Sequence, residues 1–251
     1  MKNCKYNSIS EDQYSSVRKS SPPTFCLSKI KPKNCQTTRR SIDGFSYKFI
    51  KPTIDIILSA VGLFFLSPLF ILISLMIKIN YPGKIFYRQK RCKENGSSFW
   101  IYKFRTMPEN SENCSGPMWP SEDNSQCTRI GQLLRTSHLD ELPQLINILK
   151  RDMSLVGPRP ERPYFVNKFK KSIAEYEFRH RIKPGLTGWA QINGYRGSNM
   201  AIKKRVLCDI FYIKRWSLWF DFKIIIRTIL PKIFFSPAAT VETFPKMVSA
   251  S

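Results

Sequence analysis

From Ile54 to Ile77 the chain is apolar at almost every position and carries no charge apart from Asp55. A helix needs roughly 20 such residues to match the hydrocarbon core of a bilayer, so the run predicts a membrane helix. Ser67 and Pro68 stand at its middle. Proline removes one backbone donor and pushes the residue before it away from helical geometry, which predicts a break at this pair. Basic residues flank both ends: Arg39, Arg40, Lys48 and Lys51 before the run, and Lys78, Lys84, Arg88, Lys90 and Arg91 after it. Because positive charge stays on the cytoplasmic side, a re-entrant helix that bends at Ser67-Pro68 and returns to its face of entry satisfies both flanks. A straight span exports one of them. The alternative is a kinked but spanning helix, which neighbouring groups can tolerate by re-satisfying the freed backbone.

The pattern changes character on either side. Residues 1–46 are rich in Ser, Lys, Asn, Thr and Pro with little apolar periodicity, which predicts a disordered polar and basic arm. Lys84–Gln89 and Phe99–Arg105 read as two short aromatic and β-branched strands joined by a turn at Asn95-Gly96. Alternation along the second strand places Lys103 and Arg105 on one face, where two cations suit a diphosphate; a solvated edge guarded by charge is the plainer reading. Residues 108–128 lack periodicity and predict a mobile loop. Leu142, Leu145, Ile146 and Leu149 then recur at helical spacing, and Pro143 marks the first turn of that helix. Asp140 and Glu141 fall at its N-terminus, where unpaired amides and the helix dipole favour an ionised carboxylate. Such an aspartate can attack phosphorus or hold Mg²⁺, although acidic residues also cap helices with no further role. Adjacent helical positions diverge by about 100°, so the two carboxylates are expected to play different roles.

Downstream, Pro158, Arg159 and Pro160 form a proline-clamped turn. It presents an arginine suited to phosphate or to a flat base. Lys183–Gly194 alternates turn formers with a short apolar piece, and Asp209–Ile229 mixes Trp216, Trp219, Phe220 and Phe222 with Lys214, Arg215 and Lys223. That last composition suits a membrane surface better than a span, with tryptophans at headgroup depth, though a core helix with aromatic packing fits it too.

Composition narrows the picture further. With 251 residues, 42% hydrophobic content and a mean hydropathy of -0.28, one globular domain on a membrane anchor fits better than a polytopic bundle. A formal net charge of +23 points to anionic partners: phospholipid, phosphorylated substrate or nucleic acid. The seven cysteines contain no CxxC pair and stand apart from both histidines, which argues against zinc and for reduced thiols.

The segments KFRTM, LDELPQL, DMSLVGPRPERP, HRIKPGLTGWAQINGYRG and WSLWFDFKII follow in an order that resembles the bacterial sugar transferases, the monotopic phosphoglycosyl transferases. The resemblance covers approximately Tyr47 to Ile229 and rests on several long motifs in series. It implies an α/β fold: a small mixed membrane-associated domain with one re-entrant N-terminal membrane helix, 47–80, and amphipathic interfacial helices. The catalytic domain would occupy 81–235 and a C-terminal tail 236–251. It also implies transfer of a sugar 1-phosphate, a hexose by the form of GLTGWAQINGYRG, from a UDP-sugar to polyprenyl phosphate with release of UMP. Asp140 and Glu141 match the catalytic dyad, Asp140 as nucleophile, with Mg²⁺ bridging the pair to the diphosphate. Lys103, Arg105 and Arg135 would hold phosphate oxygens, and Arg159 between Pro158 and Pro160 would face the uridine diphosphate end. Asp209 and Tyr212 match positions near the family's active site. Membrane lipid is an expected partner, nucleic acid is not, and a homodimer is a further expectation. Two departures stand out: Arg91-Cys92 and Arg151 occupy positions where the family carries glycine. A lipid diphosphate phosphatase, or a membrane-tethered module binding anionic ligands, are the competing readings; the second gives no reason for an acidic pair among basic residues.

Overall fold

The computed structural model describes Ile42 and residues 44–108, 127–195 and 202–230, all within one unit spanning Thr37–Ser251. Most of the 1–46 arm, most of the 108–128 loop and the 236–251 tail lie outside the described residues. After a π-helical turn at Ser46–Ile50, the apolar run forms one 30-residue helix, α1, at Lys51–Asn80. Pro52 occupies its first turn, where the missing N–H has no partner to lose. The helix continues through Pro68. The Phe64 carbonyl, which an amide at position 68 would have bonded, accepts the Ser67 hydroxyl at 2.7 Å instead. Proline's disruption is therefore one lost backbone bond made good by its neighbour, and helical hydrogen bonding resumes at once.

One face of α1 packs on the rest of the protein along its whole length. Lys51, Asp55 and Ser59 are buried near its start, and Ile73 and Ile77 near its end. In between, Leu63 and Leu66 meet a core of Phe99, Ile101, Leu145, Ile148 and Met153, while Leu69 and Phe70 meet Phe104 and Leu134. The opposite face is exposed and apolar, with Ile57, Phe64, Phe65, Ile71, Leu75 and Ile79 uncovered. Asp55, the lone charge in the run, accepts the Ser154 hydroxyl at 2.7 Å and the Leu155 amide. Lys51 pairs with buried Asp221 at 2.6 Å, which also accepts the Tyr212 hydroxyl and the Trp216 indole. The start of α1 is thus tied to two distant segments by charge.

The hairpin forms as β1, Phe86–Cys92, antiparallel to β2, Ser98–Phe104, with Asn95 and Gly96 supplying the positive φ of the turn. β1 runs further than its apolar residues suggest because the Cys92 amide is held by the Glu161 carbonyl. Two helices follow, α2 at Arg129–Thr136, capped by the Thr128 hydroxyl, and α3 at Gln144–Leu149. The buried positions of α3 are Gln144, Leu145, Asn147 and Ile148, whereas Leu149 is exposed and Leu142 and Ile146 are half-buried. The expected Leu142/Leu145/Ile146/Leu149 stripe is out of phase because a separate turn precedes α3 and only six residues are helical. Buried Asn147 donates to the Trp100 carbonyl and accepts from the Tyr102 amide, so its side chain closes the free edge of β2.

The remaining elements are β3 at Ser154–Val156, α4 at Pro163–Ser172, a 3₁₀ segment at Ala174–Arg181, β4 at Gly185–Thr187, α5 at Trp189–Ile192, α6 at Ile202–Lys214 and α7 at Leu218–Ile229. β3 and β4 pair in parallel. The fold is a mixed α/β body of two small two-stranded sheets among helices. Arg151 takes a left-handed φ of 64°, the conformation in which glycine is unstrained, which gives a physical reason for the family's glycine there. Along α7, Trp219, Phe222 and Ile229 are exposed. Trp216 instead lies in the core with its indole on Asp221. Cys92, Cys127 and Cys208 are free thiols among the described residues.

Candidate active site

The acidic pair sits in a 3₁₀ turn, Leu139–Glu141, entered through His138 in a left-handed conformation. Pro143, two residues after Glu141, stands at the N-terminal edge of α3, so the pair lies upstream of the helix start instead of on it. The Glu141 and Leu142 amides bond the carbonyls of His138 and Leu139 within the turn. Both carboxylates are buried. The β2 strand brings Lys103 over them: its ammonium is 2.8 Å from Glu141 Oε1 and 3.7 Å from Asp140 Oδ2. From the other side Arg159 donates to the same Glu141 oxygen at 2.8 Å.

The two acids are therefore unequal. Glu141 is held by two cations, whereas the Asp140 carboxylate accepts no hydrogen bond among the described residues and faces Lys103 only at ion-pair distance. Asp140 is pushed above the ordinary carboxylate range, first by burial; Lys103 pulls it back down and Glu141 raises it further. This reverses the expectation that a helix N-terminus would favour the ionised form, because the carboxyl is desolvated and α3 begins too late to help.

Of the other expected residues, Arg135 donates to the Thr106 hydroxyl at 3.0 Å and is near enough to Asp140 to lower its pKa. Arg105 follows the end of β2, and its guanidinium donates to the carbonyls of Tyr81 and Pro82 just past α1. Lys103 and Arg159 are thus brought onto the dyad, and Arg105 is bonded to the chain that leaves α1. Pro158 and Pro160 are buried on either side of half-buried Arg159. Asp209 pairs with Arg179, and Tyr212 bonds Asp221. Sequence reasoning missed Arg91 and Arg179, which donate to carbonyls of the Pro158–Glu161 loop; nothing in a linear pattern pairs either arginine with a loop so far away.

A divalent ion would find only Asp140 and Glu141 here, since no group of three or more His, Cys, Asp or Glu side chains converges among the described residues. Magnesium is commonly bound through one or two carboxylates with substrate phosphates completing its shell, so the pair fits such an ion in a phosphate complex. It does not form an all-protein cage.

The family described as bacterial sugar transferase matches residues 46–235. Among curated relatives, the chain is 42% identical over 177 residues to a UDP-glucose:undecaprenyl-phosphate glucose-1-phosphate transferase of Xanthomonas campestris pv. campestris, covering 69% of this chain and 37% of that protein. It is 40% identical over 184 residues to a UDP-N-acetylgalactosamine-undecaprenyl-phosphate N-acetylgalactosaminephosphotransferase of Aeromonas hydrophila, covering 73% and 43%. It is also 40% identical to a UDP-glucose:undecaprenyl-phosphate glucose-1-phosphate transferase of Caulobacter vibrioides, covering 71% and 68%. The chain thus spans about two fifths of the length of the first two relatives, and the family match takes in this chain's acidic pair, Lys103 strand and Arg159 loop.

Proposed function

Because the chain belongs to the bacterial sugar transferase family, we propose that it transfers a hexose 1-phosphate from a UDP-sugar to undecaprenyl or another polyprenyl phosphate, as the first membrane step of an exopolysaccharide, capsule or O-antigen. The observation that carries this reading is the asymmetry of the dyad: Glu141 engaged by Lys103 and Arg159, and Asp140 beside it with its carboxylate open.

In this scheme an Asp140 oxygen attacks the sugar-bearing phosphorus of the UDP-sugar. The bond to the bridging oxygen breaks and UMP leaves, so the hexose phosphate becomes an acyl phosphate on the carboxylate. An oxygen of polyprenyl phosphate then attacks the same phosphorus, which frees Asp140 and forms the lipid diphosphate sugar. A covalent relay of this kind divides one difficult encounter into two easier ones and lets a soluble and a lipid substrate use one small site in turn. Glu141 orients the turn through its two cations, while Lys103 favours the ionised nucleophile and neutralises phosphate charge. Arg159 and Arg135 are positioned to meet phosphate oxygens, with Arg105 in a supporting place at the end of α1. Asp140 and Glu141 would hold Mg²⁺ when it is bound, an ion that neutralises diphosphate charge.

The placement of α1 supports a monotopic reading on the cytoplasmic face of the inner membrane. A body containing buried charges touches the start, middle and end of the helix, so a span across the bilayer would carry that body into hydrocarbon, at high cost for its polar groups. The exposed apolar face of α1 and the exposed Trp219 and Phe222 of α7 then face lipid. The helix runs unbroken across Ser67 and Pro68, so the monotopic reading rests on the body packed along α1 and not on a break at that pair. The sugar is the finer question, because relatives of similar identity are named for glucose and for N-acetylgalactosamine. Purified protein in lipid nanodiscs, offered a panel of UDP-sugars with undecaprenyl phosphate, should release UMP and label the lipid with one hexose. Free phosphate would mean a phosphatase, and binding without turnover would mean an anionic-ligand module.

A further inference from the structure

The Pro158–Glu161 loop has every one of its four carbonyls held, by donors from three segments: β1, the 3₁₀ segment and β4. The Gly185 amide bonds Pro158 O and the Cys92 amide bonds Glu161 O. Arg179 donates to Arg159 O at 2.8 Å and Arg91 to Pro160 O at 3.2 Å. Two of these holds are backbone bonds of neighbouring strands. The other two come from half-buried Arg91 and buried Arg179, and each arginine faces an acid: Arg91 lies 3.8 Å from Glu161 Oε2, and Arg179 lies 3.0 Å from Asp209.

The Arg179 branch leads directly to the dyad. Asp209 on α6 and Arg179 on the 3₁₀ segment are both 2% exposed, so neither can touch a substrate. The second Arg179 nitrogen donates to the Tyr176 hydroxyl, which leaves the guanidinium little freedom to turn. Through its bond to Arg159 O it fixes the backbone of the residue whose own guanidinium, at the far end of the side chain, holds Glu141 at 2.8 Å. An arginine is a long side chain, and the reach of its head depends on where its backbone is held. A buried ion pair with a clear hydrophobic alternative is weak evidence for stability, which makes a geometric purpose for this one worth testing.

We infer that Asp209 and Arg179 are positioning residues that act through the backbone of Arg159, setting its guanidinium against Glu141 and the incoming diphosphate. The inference rests on the transferase reading. Asp209 keeps Arg179 oriented, Arg179 holds the loop carbonyl, and Arg159 carries the effect into the site. Misplacement by about 1 Å from a change outside the chemistry can lower a rate on the order of 100-fold.

The test uses the full chain in nanodiscs with UDP-hexose and undecaprenyl phosphate, scored by UMP release. D209N and R179K are each measured in the wild-type background and in an R159M background. R179K retains a cation for Asp209 but cannot reach the Tyr176 hydroxyl, Asp209 and Arg159 O together, so it decides the matter if D209N fails to fold. The expected result is a loss of kcat of roughly tenfold or more for both variants, against a much smaller further loss once Arg159 is gone, since residues acting in one chain are not additive. D209E should recover part of the loss. Wild-type kcat in R179K, or an equal fold loss with and without Arg159, would overturn the inference. Absence of UMP release from the wild-type chain with every UDP-sugar would instead strike the transferase reading on which it rests.

Discussion

Replacing Lys103 by methionine separates an electrostatic role from a substrate contact. The ammonium lies 2.8 Å from Glu141 Oε1 and 3.7 Å from Asp140 Oδ2, and its side chain is 19% exposed. Opposite charges about 4 Å apart attract by about 4 kcal/mol at an effective dielectric near 20, and removing one partner of a buried pair costs about 3–5 kcal/mol. Arg159 remains on Glu141, so the lower end applies. That is a cost in stability; in rate, losing one preorganised electrostatic group at a site of developing charge lowers kcat/KM on the order of 100-fold. Its pH dependence has a definite sign. Burial already raises Asp140, and Lys103 opposes it; without Lys103 the ionised fraction falls, so the acid limb of the rate profile moves to higher pH. UMP release by K103M should be most impaired at the acid end and recover progressively as pH rises, while K103R should stay close to wild type. A loss of the same factor at every pH would refute the reasoning and assign Lys103 to a substrate phosphate alone.

Three further outcomes follow from the packing. Asn147→Ala leaves the Tyr102 amide and the Trp100 carbonyl without their partner, and should destabilise the protein by about 1–3 kcal/mol, read as a lower thermal midpoint in detergent. Asp221→Ala leaves buried Lys51 with only the longer 3.9 Å pair to Asp55 among the described residues, at a cost of about 3 kcal/mol; Asp221→Leu combined with Lys51→Met should recover most of it, and a double variant no better than the single would contradict the pairing. Asp209 is pushed up to about 6, first by burial and against the pull of Arg179 and Arg205. The folded protein therefore binds this proton more tightly than the unfolded chain, and stability falls as pH rises from the ordinary carboxylate value to about 6. That slope in the thermal midpoint should be shallower in D209N.

What could be read from the linear chain was what local pattern controls. The apolar run, the Asn95-Gly96 hairpin and the proline-clamped Arg159 each announce themselves within a dozen residues, and the dyad sits within one short motif. What could not be read depends on partners far away. Asp55 looks like a defect in a membrane helix until Ser154 and the Leu155 amide arrive to meet it. Arg105 shares the alternation of Lys103, but the strand ends at Phe104 and its guanidinium serves the chain leaving α1. The apolar pattern gives the wrong phase for α3 because a 3₁₀ turn, with fewer residues per turn than an α-helix, stands before it. A helix end suggests an ionised Asp140, whereas burial pushes its carboxyl up. Sequence motifs thus named Lys103, Asp140, Glu141 and Arg159, which the fold brings together, and their electrostatics required the fold.

The central claim is that Asp140 takes the sugar phosphate before the lipid does. Wild-type protein incubated with its UDP-hexose and no polyprenyl phosphate, then quenched in acid and measured by intact mass and peptide mapping, tests this directly. The account predicts a burst of UMP with about one equivalent of hexose phosphate on the peptide containing Asp140, discharged on adding polyprenyl phosphate and missing in D140N, which should also lack turnover while remaining in the membrane fraction. Steady product formation with no adduct at Asp140, or turnover by D140N, would contradict it.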